Sequence, residues 1–242
     1  MTPNGSSHEQ LPKPKWPKVL SPLSPEQERI RNDFVKHWLE VLPKRYGLFE
    51  RFNHRYPLLS MKAQCRTLEI GAGLGAHLAF EDLAAQDYHV VELRPELVEQ
   101  LRARFPMVKS VVGDCQETMD YPPAYFDRVL AIHVLEHLPN LPRALDEIDR
   151  VLRPGGLLSV VLPCEGGFAY SLARRISARR IFERRYKQSY DWFIANEHIN
   201  RPHEILPELL AHFELRHRRF FPCAIPLVPL NLVFGMTLAK RG

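Results

Sequence analysis

At 242 residues, with 45% hydrophobic and 25% charged side chains, the chain is long and apolar enough for one large α/β domain with additions, which excludes disorder of the whole. Its five excess positive charges and pI near 9.1 make a mild basic balance. No RNA-binding, zinc-finger or helix-turn-helix spacing accompanies it, so nucleic acid is not the expected substrate.

The four cysteines, Cys65, Cys115, Cys164 and Cys223, are scattered and form no C-x-x-C, so neither a zinc site nor a disulfide framework is indicated and a reducing cytoplasm fits. The polar, proline-rich start lacks the apolar region of a signal peptide. The longest apolar stretch, Phe220 to Leu238, is interrupted by Pro222, Pro226, Pro229 and Gly235, so a soluble protein is expected, with peripheral membrane contact as the only membrane role left.

In chain order, residues 1–25 hold six prolines and few apolar side chains, the composition of a flexible arm. Residues 26–62 form an expected helical extension. Ser24-Pro25-Glu26 starts a helix, and Ile30, Phe34, Trp38, Leu39 and Leu42 follow at helical spacing. Tyr46, Leu48, Phe49, Phe52 and Tyr56 continue it as an aromatic-rich segment, either packed on the domain or forming one wall of a substrate pocket.

Thr67-Leu68-Glu69-Ile70 then reads as a strand that breaks into Gly71-Ala72-Gly73-Leu74-Gly75 and a helical pattern from Leu74 to Ala85. Closely spaced glycines in a strand-to-helix turn let a ligand lie against bare backbone. The spacing also satisfies the dinucleotide pattern of NAD-binding folds, but Glu69, two residues before the first glycine, suits a ligand with a cationic ammonium group. Here the sequence resembles the class I S-adenosylmethionine (SAM)-dependent methyltransferases, whose first motif has the form E/D-x-G-x-G-x-G.

Tyr88 to Leu93 is a second strand ending in Glu92, 21 residues beyond Gly71, the separation that brings a carboxylate beside a ribose. A helix from Pro95 to about Phe105 and a third strand from Val108 to Val112 come next, closed by Gly113-Asp114-Cys115. The resemblance implies that Asp114 binds the adenine amino group and the Cys115 amide a ring nitrogen. Taken alone, Asp114 also suits a helix N-cap.

Phe126 to His133 is a fourth, mostly apolar strand, as a buried parallel strand should be. His133-Val134-Leu135-Glu136-His137 matches the H-x-x-E-H of one class of zinc peptidases. That reading fails because the run before His133 is strand-like and Pro139 and Pro142 interrupt any helix beyond it. F-D-x-V with E-H-L a few residues later instead matches the fourth motif of the methyltransferases. A helix from Leu141 to Leu152, the turn Arg153-Pro154-Gly155-Gly156 and a fifth strand, Leu157 to Leu162, complete a resemblance covering residues 66–163.

Residues 164–205 read as a helical cap inserted after the fifth strand. Arg174, Arg175, Arg179, Arg180, Arg184, Arg185 and Lys187 punctuate a helical pattern carrying Leu172, Ile176, Ile181, Phe182 and Tyr186. They mark either a solvated face or inward-facing groups that bind an anionic acceptor. His198 is read as a loop histidine with an ordinary surface role, or else as one that reaches the site. Phe213 to Phe221 and Asn231 to Ala239 form a terminal hairpin.

The expectation is therefore a methyltransferase domain over residues 63–242 with a Rossmann-like, seven-stranded, mostly parallel sheet, an antiparallel C-terminal strand and helices on both faces. Glu69, Gly71, Ala72, Gly73, Gly75, Glu92, Leu93, Asp114, Cys115 and His133 are the expected SAM-binding residues. His137, just beyond the fourth strand, is the candidate base, or else a group that holds the loop together. The acceptor is expected to be a small molecule or a glycan or lipid precursor, methylated at oxygen. A SAM-binding domain without catalysis and an NAD-dependent oxidoreductase are the alternatives.

Overall fold

The computed structural model describes residues 16–241 and, within them, all side chains but those of residues 39–44. Most of the expected arm, residues 1–15, and the helical positions Leu39 and Leu42 lie outside that description.

Two helices come first, α1 (Pro25–Arg45) and α2 (Gly47–Arg55). The sheet is built from β1 (Arg66–Ile70), β2 (Asp87–Glu92), β3 (Lys109–Val112), β4 (Phe126–Ile132), β5 (Leu152–Pro163), β6 (Phe213–Phe221) and β7 (Val233–Lys240). Their spatial order is β3-β2-β1-β4-β5-β7-β6. The first five strands run parallel, and β7 is antiparallel to both β5 and β6. Helices α3 (Pro95–Arg104), α4 (Leu141–Val151) and α8 (Pro202–His212) flank the sheet. Between β5 and α8 the insertion forms α5 (Phe168–Arg174), a wider π-helical turn over Arg175–Arg179, α6 (Arg180–Tyr186) and α7 (Asp191–Glu197). No helix among the described residues is long and apolar enough to cross a membrane.

The central parallel strands β4 and β5 are mostly buried on both faces, as their alternation-free apolar runs require. Leu68, Val129, Ala131, Leu158 and Val160 pack with Leu145 and Ile148 of α4 and Leu209 of α8 in the main core. A second core joins Ile30 and Phe34 of α1 to Phe182, Tyr190 and Phe193 of the insertion, with Phe34 edge-on to Phe182 at 5.0 Å. The N-terminal helix and the insertion thus form one helical layer.

Three expectations are corrected. Leu74 to Ala85 is not an α-helix but two short 3-10 turns, His77–Phe80 and Leu83–Ala85. Gly75 takes φ +74°, and Glu81 turns extended so that its carboxylate reaches Arg128 at 2.8 Å and His77 at 2.8 Å. Asp114 caps no helix, since irregular chain comes after it. The described end of the arm does not hang free: Trp16 packs on the main core, the Lys18 amide donates to the Pro139 carbonyl at 2.8 Å, and its ammonium pairs with Glu204 at 2.6 Å.

Strand β4 also carries a charge that its apolar run conceals. Arg128 is 1% exposed and donates to the Pro57 carbonyl at 2.7 Å and the Ser60 hydroxyl at 2.9 Å as well as pairing with Glu81. This clamp ties the short 3-10 turn Pro57–Ser60, and with it α2, to the sheet.

Candidate cofactor and acceptor site

The strand order reverses direction between β1 and β4, and ligands of open α/β sheets bind at the carboxyl ends of strands beside such a switch point. The expected residues gather there. Glu69 lies in β1, the glycine turn comes directly after it, Glu92 ends β2, Asp114 and Cys115 lie beyond β3, and His133 and His137 lie beyond β4.

The turn is held from two sides. The Gly71 amide extends the ladder to the Val91 carbonyl at 2.8 Å, and the Gly73 amide donates to Glu92 Oε2 at 2.9 Å. Gly73 has φ +56° and nothing within 4 Å of where a Cβ would stand, so it offers open backbone at that point. Gly75 differs: a Cβ there would meet Leu101 at 2.7 Å and Phe105 at 2.8 Å. Its bareness therefore serves packing against α3, not contact with a ligand.

Two of the acids are buried. Glu69 accepts from the Tyr88 hydroxyl at 2.9 Å, and burial pushes its carboxyl above the usual range against the pull of His77. Glu92 is 3% exposed, and its other oxygen faces the Arg94 amide at 3.2 Å. Asp114 is more open, oriented by the Gln116 amide at 2.9 Å and the Gln116 side chain at 3.1 Å. Beside it the Cys115 thiol is buried and pushed up to about 12, which makes it an inert neighbour of the backbone amide. Leu93 stands 63% exposed between Glu92 and α3, an apolar surface available to a flat ring.

The structure adds residues that sequence reading did not single out. Helix α2 lies over this edge. Phe49 stacks on His133 with ring centroids 6.0 Å apart, and His54 stacks on His77 at 5.8 Å. Glu50 faces His54 at 3.4 Å; burial works to raise its carboxyl, but His54 and His133 hold it below the usual range. Asn53 Oδ1, His54 Nδ1, His77 Nδ1, His133 Nε2 and Glu136 Oε2 are buried without hydrogen-bond partners in the protein. An unmatched buried polar atom costs about 1–3 kcal/mol. A ligand carrying an ammonium and a carboxylate would supply the missing partners, so these residues fit the amino-acid end of SAM, as Glu92, Leu93 and Asp114 fit its adenosine. The advance signals were the aromatic segment around Phe49, one of whose two readings was a pocket wall, and a polar stripe, Glu50, Asn53 and His54, on the same helix.

His133 and His137 do not share a helix face. His133 ends the strand with φ +53°, and His137 lies in the 3-10 turn Leu135–His137. Between them Glu136 is buried. Burial would raise its carboxyl, but His133 at 3.1 Å, with His137 and His198 nearby, holds it at about 2.

Under the helical layer, His137 Nδ1 lies 2.5 Å from the Glu197 carbonyl oxygen, and its ring meets His198 edge-on at 5.1 Å. His198 Nδ1 reaches Glu165 at 3.1 Å, and Glu165 also pairs with Arg174. Asn200 fastens this floor by donating to the Leu135 and Leu138 carbonyls, each at 2.8 Å. Of the two readings of His198, the surface one does not hold: the side chain is largely covered and lies against His137 and Glu165.

Of the two readings of the arginines, the solvated face holds for all but Arg174. Ala178 and Phe182 turn inward to Phe34, which sends the arginines outward. Arg179 pairs with Asp191 and Arg185 with Asp33 at 3.0 Å, while Arg175, Arg180, Arg184 and Lys187 are exposed.

Residues 68–160 match the family model described as a methyltransferase domain. The chain is 33% identical over 105 residues to the sterol 4-C-methyltransferase strm-1 of Caenorhabditis elegans, covering 40% of this chain and 31% of that protein. It is 33% identical over 101 residues to the ubiquinone biosynthesis O-methyltransferase of Xylella fastidiosa, covering 39% and 40%. The matched region thus spans less than half the length of these curated relatives. Among solved structures, a TehB-like SAM-dependent methyltransferase from Corynebacterium glutamicum superposes with a TM-score of 0.58 at 15% identity, covering 88% of this chain and 100% of that one.

Proposed function

We propose that this chain, whose residues 68–160 form a methyltransferase domain of the class I SAM-dependent fold, transfers a methyl group to a hydroxyl of a small, lipid-like or glycan-like acceptor. The observation that supports this reading is the placement of Glu69, the glycine turn, Glu92 and Asp114 at the carboxyl edge of β1, β2 and β3, with Glu92 bonded to the Gly73 amide and unmatched polar atoms on α2 and the β4 loop at the same edge.

SAM, when bound, supplies an electrophilic methyl group on a sulfonium that leaves as a neutral thioether. The protein's work is to position and to desolvate. Glu69 and the α2 cluster hold the ammonium and carboxylate, Glu92 the ribose hydroxyls, and Asp114 with the Cys115 amide the adenine edge. On the acceptor side, a carbonyl oxygen only accepts, so the short bond to Glu197 fixes the proton of His137 on Nδ1 and leaves Nε2 with its lone pair. Burial first, and His198 after it, lower the His137 pKa against the pull of Glu136, although about a third of the side chain still reaches solvent. The ring is therefore neutral at pH 7 and able to take a proton from an acceptor hydroxyl.

Relatives named for sterol and ubiquinone chemistry support an acceptor with a large apolar part. The NAD alternative is disfavoured because a pyrophosphate rests on the N-terminus of the helix after the glycine turn, and only 3-10 turns occupy that place here.

Calorimetry with SAM, its demethylated product and NAD tests the reading. Micromolar binding of the first two and no heat from NAD are expected; the reverse pattern would remove the function while sparing the fold. Release of the demethylated product in the presence of hydroxyl-bearing apolar acceptors tests turnover.

A further inference from the structure

Two segments meet at the carboxyl edge of the sheet, the edge that carries the candidate site. Pro163, at the end of β5, pairs with Val233 at the start of β7, and Val233 pairs with Phe221 at the end of β6. The chain leaving β5 into α5 and the connection from β6 to β7 therefore emerge side by side. They touch at Gly167, where even a Cβ would come within 2.6 Å of the Val228 carbonyl oxygen.

Both segments turn large apolar side chains to solvent. Phe168, Leu172 and Ile176 recur every fourth residue along one face of the insertion helix and are 73%, 48% and 65% exposed. Across the contact, Ile225, Leu227 and Leu230 are also exposed. The connection, residues 222–232, contains no charged residue at all. Further along the same helix the exposed surface becomes basic. Arg175, Arg180, Arg184 and Lys187 have no carboxylate partner among the described residues, and no acid occurs between Phe168 and Phe182. The one carboxylate on this stretch, Glu183, lies 3.8 Å from Arg179.

A stripe of apolar side chains continuous with unpaired cations, with almost no acid to offer a protein partner, has the chemistry of a surface that lies in a membrane interface. We propose that this face docks on an anionic lipid bilayer, with Phe168, Leu172, Ile176 and the loop 225–230 entering the acyl boundary and Arg175, Arg180, Arg184 and Lys187 reaching the headgroups. The shape suits this, because an exposed helix and a proline-bearing loop project from one edge. Docking rests on this surface alone and stands whether or not the domain transfers methyl groups. If it does, an apolar acceptor reaches the candidate site from the bilayer, because both open on the same edge.

Co-sedimentation of the full chain with vesicles tests the proposal. Vesicles of phosphatidylcholine with about a third phosphatidylglycerol are expected to bind at least tenfold more tightly than phosphatidylcholine alone, and 0.5 M salt should weaken binding. Changing Arg175, Arg180 and Arg184 to Gln together with Lys187→Gln should cost at least tenfold in partitioning. Phe168→Ser with Ile176→Ser should lower binding comparably, with the melting temperature within about 2 °C because both side chains are exposed. In a separate variant, Phe168→Trp should shift its fluorescence to the blue on anionic vesicles only. Equal sedimentation with and without vesicles, or no shift at Phe168→Trp, overturns the proposal. So does a dimer that dissociates on Phe168→Ser without vesicle binding, which would make the face a contact between copies.

Discussion

His137 gives its Nδ1 proton to the Glu197 carbonyl oxygen at 2.5 Å, and so a residue of the helical insertion determines which nitrogen of a residue of the sheet domain is basic. His137→Gln should lower kcat by about 10²- to 10⁴-fold, the usual worth of a general base, while SAM affinity stays within about twofold. Because the His137 pKa is lowered from its ordinary 6.5, the basic form persists below that value. The rate should fall only on an acid limb whose midpoint lies under pH 6.5. A limb above 6.5, or equal losses in kcat and SAM affinity, would make His137 a structural residue of its loop.

Glu69 supplies a pH signature for binding. Burial raises its carboxyl in the free protein, and an ammonium placed beside it would stabilise the ionised form. SAM binding should therefore release protons and strengthen as pH rises toward the raised value. Calorimetry in buffers of different ionisation enthalpy checks this. Glu69→Gln should abolish the proton release and weaken SAM by at least tenfold. Binding that is flat in pH would place the ammonium elsewhere, with the α2 cluster as the next candidate.

Glu92 has two duties, because the carboxylate expected beside the ribose also holds the Gly73 amide at 2.9 Å and the Arg94 amide at 3.2 Å. Glu92→Ala should weaken SAM by at least tenfold, through loss of charge-assisted hydrogen bonds worth about 1.5–3 kcal/mol each. Unlike a purely ligand-facing acid, it should also destabilise the unliganded protein. Glu92→Gln, which keeps an acceptor for Gly73, should separate the effects by recovering stability more fully than affinity. Recovery of both alike would argue against a ribose contact.

The Arg128–Glu81 pair sets a stability prediction. Arg128→Met removes one partner of a buried ion pair and the donors to the Pro57 carbonyl and the Ser60 hydroxyl, which should cost about 3–5 kcal/mol in denaturant unfolding. Burial opposes the charge of Glu81, but His77 and Arg128 win and hold its carboxyl at about 2, below the ordinary 4.5. A folded value below the unfolded one means the contribution is complete above pH 4.5 and is lost as pH falls toward 2. Glu81→Gln should therefore flatten the acid side of the stability profile between those limits. A loss under about 1 kcal/mol in Arg128→Met would mean that water replaces the clamp.

What was legible in the sequence was whatever depends on short separations. Except for β6, which carries Arg216, Arg218 and Arg219, the strands come from apolar runs, and Glu69, Glu92 and Asp114 from their places at strand ends. Long-range interactions overrode local pattern elsewhere. The helical rhythm of residues 74–85 yields because Glu81 is drawn to Arg128, which lies 47 positions later and looks like an interruption in an apolar strand. Glu50, Asn53 and His54 make a polar stripe that would suit solvent equally well, and only the docking of α2 turns it onto the site. The arginine pairs left their direction open between solvent and site, since Ala178 and Phe182, not the charges, decide which face is buried.

The antiparallel strand β7 joins two neighbours, β5 and β6, and comes after both in sequence. Until Val233–Lys240 has left the ribosome, β5 is an open sheet edge whose Val160-Val161-Leu162 run has no partner on that side. Gly235 must also arrive before the Tyr56 ring, which packs directly against it, can settle. Native closure thus waits for β7, and a nascent chain that has not yet reached it exposes the kind of edge that recruits other strands. Folding yield in cells should depend on how quickly Val233–Lys240 emerges after β5, a dependence that an equilibrium measurement on the finished protein would never reveal.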